Sequence, residues 1–293
     1  MRSRNYEKTA DEKTWITLCI CTAFLALVIW TIWGNTALMA SFIEISDSRI
    51  PAGFSGFRIA QISDLHNAQF GENNRRLLEL LSETGPDLIA ITGDFVDAGH
   101  TDVEVALDFV KEAVRIAPVY YVTGNHEAGL PQYEELKADL EAAGVTVLED
   151  RAIQLARDGD TITLIGLSDP NFAMRGDMFG EVPAMVRAKL EGLADEADYT
   201  VLLSHRPELF ESYVSTGIGL VLSGHAHGGQ FRLPFVGGLI APDQGLFPRY
   251  DAGLYTKGGT NMVVSRGLGN SMIPLRFNNR PEIVVVELGN TKP

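Results

Sequence analysis

Five short polar motifs recur along this chain, each just after an apolar run: Asp64-Leu65-His66, Gly93-Asp94, Gly124-Asn125-His126-Glu127, Ser204-His205 and Gly224-His225-Ala226-His227. Five of the six histidines fall inside them, and His100 alone stands apart. Imidazole nitrogens and carboxylate oxygens gathered in this way suit first-row divalent ions such as manganese, iron and zinc. The donors are numerous enough for two ions. Singly, each motif has a bland reading: an aspartate after a strand caps a turn, and Gly224, Gly228 and Gly229 serve turns. Their joint occurrence in one order points to chemistry. His100 keeps the reading of a polar loop residue, and Asp97 that of a residue behind the ligands.

The elements that must position these motifs are legible around them. Residues 57–62 alternate and run into Ser63-Asp64, which predicts a first strand. Leucines at 77, 78, 80 and 81 predict a helix over 72–83, stopped by Gly85-Pro86. Residues 87–91 and 118–122 predict buried strands ending at Gly93-Asp94 and Gly124-Asn125. Amphipathic helices are expected over 102–115 and 131–143, the second closed by Gly144. This strand–helix alternation marks βαβ units with a parallel sheet, whose sites gather beyond the carboxyl ends of the strands. The second half is richer in strands, expected at 145–148, 153–156, 161–167, 200–203, 220–222, 230–233, 261–265 and 283–288. Helices are expected over 182–194 and 207–214. There is no internal repeat and no low-complexity tract. The pattern predicts one α/β domain over 56–293, built on two packed sheets with helices outside, after a connector at 34–55.

The motifs and their order resemble the calcineurin-like metallophosphoesterases, in particular the bacterial membrane-associated, phosphodiesterase-like branch. The similarity spans about residues 43–289. It is anchored in I-S-D-L-H (62–66), T-G-D-F-V-D (92–97), V-T-G-N-H-E (122–127), L-L-S-H-R-P (202–207), L-S-G-H-A-H-G-G-Q (222–230) and V-S-R-G-L-G (264–269). The resemblance implies a four-layer αββα sandwich, two mixed sheets flanked by helices, with two divalent metal ions (manganese, iron or zinc). It implies Asp64, His66 and His227 on the first ion and Asn125, His205 and His225 on the second. Asp94 would bridge both, and His126 would stay off the metals and face the substrate, so Asp94 and His126 are the expected catalytic residues. The residue chemistry is compatible. One carboxylate can bridge ions about 3.5–4 Å apart, Asn125 adds a neutral oxygen, and an extended loop would send His225 and His227 to different ions. The implied reaction is attack of metal-activated hydroxide on phosphorus. His126 would stabilise the developing charge or protonate the leaving oxygen, help worth about 10²–10⁴-fold. Asn67 departs from the residue type of many relatives at that loop position. Arg206 and Arg266 are weaker candidates for a phosphate contact.

The bulk composition bounds partners and place. With 38 acidic residues, 24 Lys and Arg and a formal net charge of −14, the chain should repel a nucleic-acid backbone. Bound metals can reverse the local field, so an anionic phosphorylated small-molecule or lipid substrate remains compatible. Cys19 and Cys21 are the only cysteines, so there is no disulfide framework. Residues 15–33 carry no charge and hold all three tryptophans near the two ends. At about 1.5 Å rise per residue, they approach the roughly 30 Å of a bilayer core. Arg2, Arg4, Lys8 and Lys13 precede this segment, and only Arg49 follows it before Pro51. The charge rule therefore predicts a cytoplasmic tail at 1–14, a single-pass anchor and a large domain outside the cytoplasm. A cleavable signal peptide is the alternative, but the apolar run is long and no small-x-small site follows it. The expected activity is hydrolysis of phosphodiester or pyrophosphate bonds, with lipid-linked substrates as one class. The competing readings are a cytoplasm-facing pyrophosphatase of nucleotide-sugar lipids, a phosphoprotein phosphatase and a non-catalytic metal-binding scaffold. The apolar stretches 233–247 and 271–277 are expected to cover the core or to form a rim that meets lipid.

Overall fold

The apolar runs that precede the motifs become neighbouring strands of two sheets. The structure, a computed structural model, describes residues 2–173, 181–194, 199–270 and 273–291, with side chains from Lys13 onward. Helix α1 (Arg2–Thr36) leads into β1 (Met39–Asp47), followed by β2 (Phe57–Ile62), α2 (Arg75–Glu83), β3 (Leu88–Thr92), α3 (Val103–Ala113), β4 (Val119–Val122), α4 (Asn125–Ala128), α5 (Tyr133–Ala142) and β5 (Thr146–Val147). The second half holds β6 (Arg151–Arg157), β7 (Asp160–Gly166), α6 (Val182–Leu193), β8 (Thr200–Leu203), α7 (Phe210–Val214) and β9 (Leu220–Ser223). Two short hairpins come next, β10 (Arg232–Leu233) with β11 (Gly237–Gly238) and β12 (Ile240–Ala241) with β13 (Gly245–Leu246). The chain ends through β14 (Gly253–Lys257), β15 (Thr260–Val264) and β16 (Glu282–Asn290).

Among the described residues, one six-stranded sheet runs β1-β16-β2-β3-β4-β5 and a second runs β14-β15-β9-β8-β7-β6. Both are mixed. Strands β2 to β5 are parallel and β16 is antiparallel to β2. Strands β7, β8, β9 and β15 are parallel, and β6 and β14 run antiparallel at the two edges. Strands β3, β8 and β9 are buried along their whole length. Helices and the facing sheet cover both of their sides, which explains runs without alternation.

Three apolar layers hold the sandwich. Between the sheets, Ile59, Ala90, Val122 and Val284 meet Leu164, Val201, Leu222 and Val263. Outside the first sheet, Ile62, Ile91 and Tyr121 share a core with Leu81 of α2, Phe109 of α3 and Leu140 of α5. Outside the second, Leu202, Val221 and Met262 share one with Leu190 of α6 and Phe210 of α7. Fully burying one such side chain is worth about 1.5–3 kcal/mol. This is the expected four-layer αββα arrangement. Buried Gln61 crosses between the sheets, its Nε2 donating to the Ser223 carbonyl at 2.9 Å and to Thr92 Oγ1.

Strands β11 to β14 were not expected, and two further segments differ from expectation. Residues 34–55 are more than a connector, because β1 pairs in parallel with β16 at the edge of the first sheet. Only Ile45 of β1 is fully buried, so the segment shows no apolar run. Its strand conformation comes from its partner rather than its own pattern. The strand expected at 230–233 shrinks to Arg232–Leu233 because Gly228, Gly229 and Gln230 all take positive φ and turn the chain. Of the apolar stretch 271–277, Ser271 and Met272 lie outside the described residues. Residues 13–36 form a helix with a mean hydropathy of 2.3, exposed from 13 to 30 with Gly34 buried near its end, and long and apolar enough to cross a membrane.

Candidate metal centre

The loops after β2, β3, β4, β8 and β9 meet at one end of the sandwich, tied by backbone hydrogen bonds. Asp64 N–H donates to Gly93 O, His66 N–H to Asp94 O, and Gly224 N–H to His205 O. The structure brings the expected donors into two overlapping groups. Ligand atoms of Asp64, His66, Asp94 and His227 lie within 4.8 Å of one another, as do those of Asp94, His205 and His225. Asp94 belongs to both. Its Oδ2 lies 3.6 Å from His66 Nε2 and 3.2 Å from His205 Nε2.

Within each group ring nitrogens point at each other rather than at protein partners. His66 Nε2 lies 3.2 Å from His227 Nε2, and His225 Nδ1 lies 3.1 Å from His205 Nε2. Such convergence is what an ion at the common focus would use. Asn125 Oδ1 is buried with no hydrogen-bond partner, an expensive state for an amide oxygen unless a further ligand sits there. The donor set of imidazole nitrogens with carboxylate and amide oxygens therefore fits divalent metal.

Two of the outer ring nitrogens are held by hydrogen bonds. His205 Nδ1–H donates to the Thr92 carbonyl at 2.8 Å, which fixes the tautomer that leaves Nε2 free toward the site. His225 Nε2–H donates to Asp243 at 2.8 Å, which aims Nδ1 inward. His66 Nδ1 faces Asp97 at 3.6 Å, and His227 Nδ1 faces the Arg276 guanidinium at 3.5 Å. Burial pushes the His227 imidazole down to about 3, so its nitrogens are neutral at ordinary pH. Burial pulls His205 downward too, but the Asp94 carboxylate outweighs it and lifts the imidazole to about 10. Asp94 is itself held well below the usual carboxylate range, burial being outweighed by His205 and His66.

Backbone strain is concentrated here. Asp64, His66, Asp94, His225 and His227 all have φ between 45° and 65°. That left-handed region costs a non-glycine residue roughly 1–2 kcal/mol, and such strain collects where geometry serves function. It also corrects the expectation of an extended loop at 225–227. His225 and His227 do go to different groups, but they diverge through a left-handed turn. Gly93 (φ 86°) and Gly124 are needed for space. A Cβ on Gly93 would sit 2.7 Å from both Gly124 N and His205 Nδ1, and one on Gly124 would overlap the Asp94 carboxylate.

His126 stands apart from the two groups. Its ring packs edge-on against His66 with centroids 4.5 Å apart, and it is half-buried. Ala98 N–H donates to His126 Nδ1 at 3.1 Å, which places the proton of the neutral ring on Nε2. Burial lowers its pKa, favouring that neutral donor form. Asp97 caps its own turn, accepting from Gly99 and His100 N–H, behind His66 and His126. His100 is exposed and outside both groups.

Sequence reasoning missed four supports. Glu127 is fully buried and accepts from the N–H groups of Asp94, Phe95, Val96 and Gly124, pinning two motif loops together. Its place two residues after Asn125 was the available signal. Arg206, read from the sequence only as a weaker candidate for a phosphate contact, is buried in a bidentate pair with Asp169 (2.5 and 3.0 Å), is ion-paired with Asp243, and has Nη1 3.0 Å from His225 Nε2. Asp243 lies in an otherwise ordinary loop, with no signal. Fully buried Arg276 donates to the Arg266 and Gly269 carbonyls beside His227; burial lowers it to about 10, so it stays cationic near neutral pH. Arg266 itself lies by Glu282.

Comparison with known proteins agrees with this geometry. The profile of the family described as calcineurin-like phosphoesterase matches residues 57–229. The chain is 34% identical over 253 residues to "Uncharacterized metallophosphoesterase YkuE" of Bacillus subtilis, covering 84% of each chain. It is 31% identical over 245 residues to "Phosphodiesterase YaeI" of Escherichia coli, covering 79% of this chain and 82% of that one. It is 28% identical over 255 residues to "Transmembrane protein with metallophosphoesterase domain" of Danio rerio, covering 84% of this chain and 56% of that one. The chain belongs to the calcineurin-like phosphoesterase family and is a metal-dependent phosphoester hydrolase.

Proposed function

We propose that this chain is a membrane-anchored hydrolase of phosphodiester or pyrophosphate bonds, lipid-linked ones included, working at a centre for two divalent ions. The observation that carries the reading is Asp94, whose Oδ2 faces His66 and His205 at once; the buried Asn125 Oδ1, without a hydrogen-bond partner, supports it. In this reading Asp64, His66 and His227 hold one ion, Asn125, His205 and His225 hold the other, and Asp94 bridges. Bound there, the ions supply Lewis acidity toward the phosphoryl oxygens and acidify nearby water. His126 offers its Nε2–H to a phosphoryl or leaving oxygen, and the Ala98 N–H on Nδ1 keeps that proton outward. The similarity to a named phosphodiesterase favours diesters. The exposed apolar stretch 13–36 supports anchoring, and the basic residues before it favour a domain outside the cytoplasm.

The test is a matrix of metals (manganese, iron, zinc) against a monoester, a diester and a pyrophosphate-linked lipid, using the whole chain in detergent micelles. Diester or pyrophosphate turnover exceeding monoester turnover is expected. Metal binding without hydrolysis of any of them would return the scaffold reading, and turnover confined to phosphoproteins would return the phosphatase. A cytoplasmic signal from a compartment-sensitive reporter on the C-terminus would overturn the orientation.

A further inference from the structure

The loop between β9 and β14 exposes large apolar side chains that no described element covers. Phe235 is fully exposed, and Val236, Leu246 and Phe247 are between 58% and 68% exposed. Ile273 and Leu275 add to them from the segment before β16. A soluble surface rarely groups such residues without a partner. Hydrogen bonds sew the two segments into one surface. Arg232 N–H donates to Phe277 O, Leu239 N–H to Phe231 O and Phe247 N–H to Leu239 O, while Gln230 Nε2 donates to the carbonyls of Ile273 and Leu275.

The same surface is tied to the base of α1. Asn35 and Arg276 exchange two hydrogen bonds, Nδ2 to the Arg276 carbonyl at 2.7 Å and Arg276 N–H to Asn35 Oδ1 at 2.8 Å. Arg280 donates to the carbonyls of Ala37 and Leu38 and lies over the Trp33 ring at 4.9 Å. An apolar surface locked to the foot of an exposed apolar helix meets whatever that helix enters.

We infer that Phe235, Val236, Leu246, Phe247, Ile273 and Leu275 form a rim that dips into the bilayer beside α1, so that the metal cleft opens onto the membrane surface and takes phosphoester headgroups of lipids. The rim also borders the centre, since Asp243 of this loop holds His225 and Arg276 faces His227. This inference rests on the reading of α1 as an anchor and of the centre as a phosphodiesterase site.

Two measurements test it on the whole chain. In the first, Phe235→Cys is made with Cys19→Ser and Cys21→Ser, labelled with an environment-sensitive fluorophore and reconstituted into vesicles of phosphatidylcholine and phosphatidylglycerol. A blue-shifted emission quenched by brominated lipid is expected, while a label at Glu141→Cys on α5 stays aqueous. An aqueous signal from position 235 would overturn the inference. In the second, Phe235→Asp combined with Phe247→Asp should lower turnover of a vesicle-borne phosphodiester about tenfold and leave that of bis(4-nitrophenyl) phosphate unchanged. Equal loss on both substrates, or loss on neither, counts against the rim. If the unaltered chain hydrolyses neither substrate, the enzymatic reading fails by itself, and the fluorescence result still decides the rim.

Discussion

Replacing Asp243 with asparagine removes a carboxylate from behind His225 while keeping its volume. His225 Nε2–H then donates to a neutral amide oxygen, and the ring loses the partner that aims Nδ1 at the centre. Outer partners of ligating histidines typically matter about 10–100-fold in metal affinity, which is about 1.4–2.7 kcal/mol. The Asp243 side chain is half exposed, so water screens part of the effect and the lower end, about tenfold, is expected. Collapse of the neighbourhood is not expected, because Arg206 keeps its bidentate pair with Asp169. The assay is calorimetric titration of metal-free chain with manganese, resolving two binding steps. One step should weaken about tenfold and the other should stay as it is. Equal weakening of both steps, or no change in either, would refute the role given to Asp243.

Asp94→Asn should lower both metal occupancy and turnover, whereas His126→Ala should lower turnover about 10²–10⁴-fold with metal content intact; equal metal loss in the two variants, measured by elemental analysis, would reject the metal-free role of His126. Gly124→Ala pushes a methyl into the Asp94 carboxylate and should cost about 1–3 kcal/mol of stability, read from denaturant unfolding of the metal-free protein, together with metal affinity. Stability should also depend on pH in a defined direction. Burial and the Asp94 charge raise the Glu127 carboxyl from 4.5 to about 7, so the folded chain binds the extra proton and stability falls as pH rises across that window. His205, lifted from 6.5 to about 10, contributes stability that is complete below 6.5 and lost as pH rises through 10. Below pH 6.5 the lowered His227 opposes these slopes, so the clear expectation lies above it: the unfolding midpoint of the chain in chelator should drop between pH 6.5 and pH 9 and flatten when manganese is added, and a midpoint that rises over that range would contradict the His205 shift.

The parts of this fold that declare themselves in the sequence are those buried on both faces. Strands β3, β8 and β9 read as uninterrupted apolar runs because neither of their sides meets water, and the polar motif after each, itself buried, marks where the strand gives way to the site loop. Strand β1 did not declare itself, since its conformation is imposed by β16 from the far end of the chain. The ligand residue types were visible as an unusual grouping of histidines, yet their left-handed backbones were not, because Asp and His carry no obligatory signal for positive φ. Asp243 and Arg276 were invisible for another reason. Each is a lone charged residue whose meaning depends on a histidine 18 or 49 positions away in sequence and about 3 Å away in space.

Strand β16 lies between β1 and β2, pairing residues 282–290 with residues 39–47 on one side and 57–61 on the other. During synthesis, α1, β1 and β2 emerge first, and β2 waits with an open edge until more than two hundred further residues have followed. The loop carrying Asp64 and His66 hangs from that open strand. Pairings so distant along the chain form slowly and leave strand edges exposed in the meantime. Closure of the first sheet therefore waits for its last strand: the strand leading to Asp64 and His66 is paired along both edges only once β16 has crossed to its place beside β1.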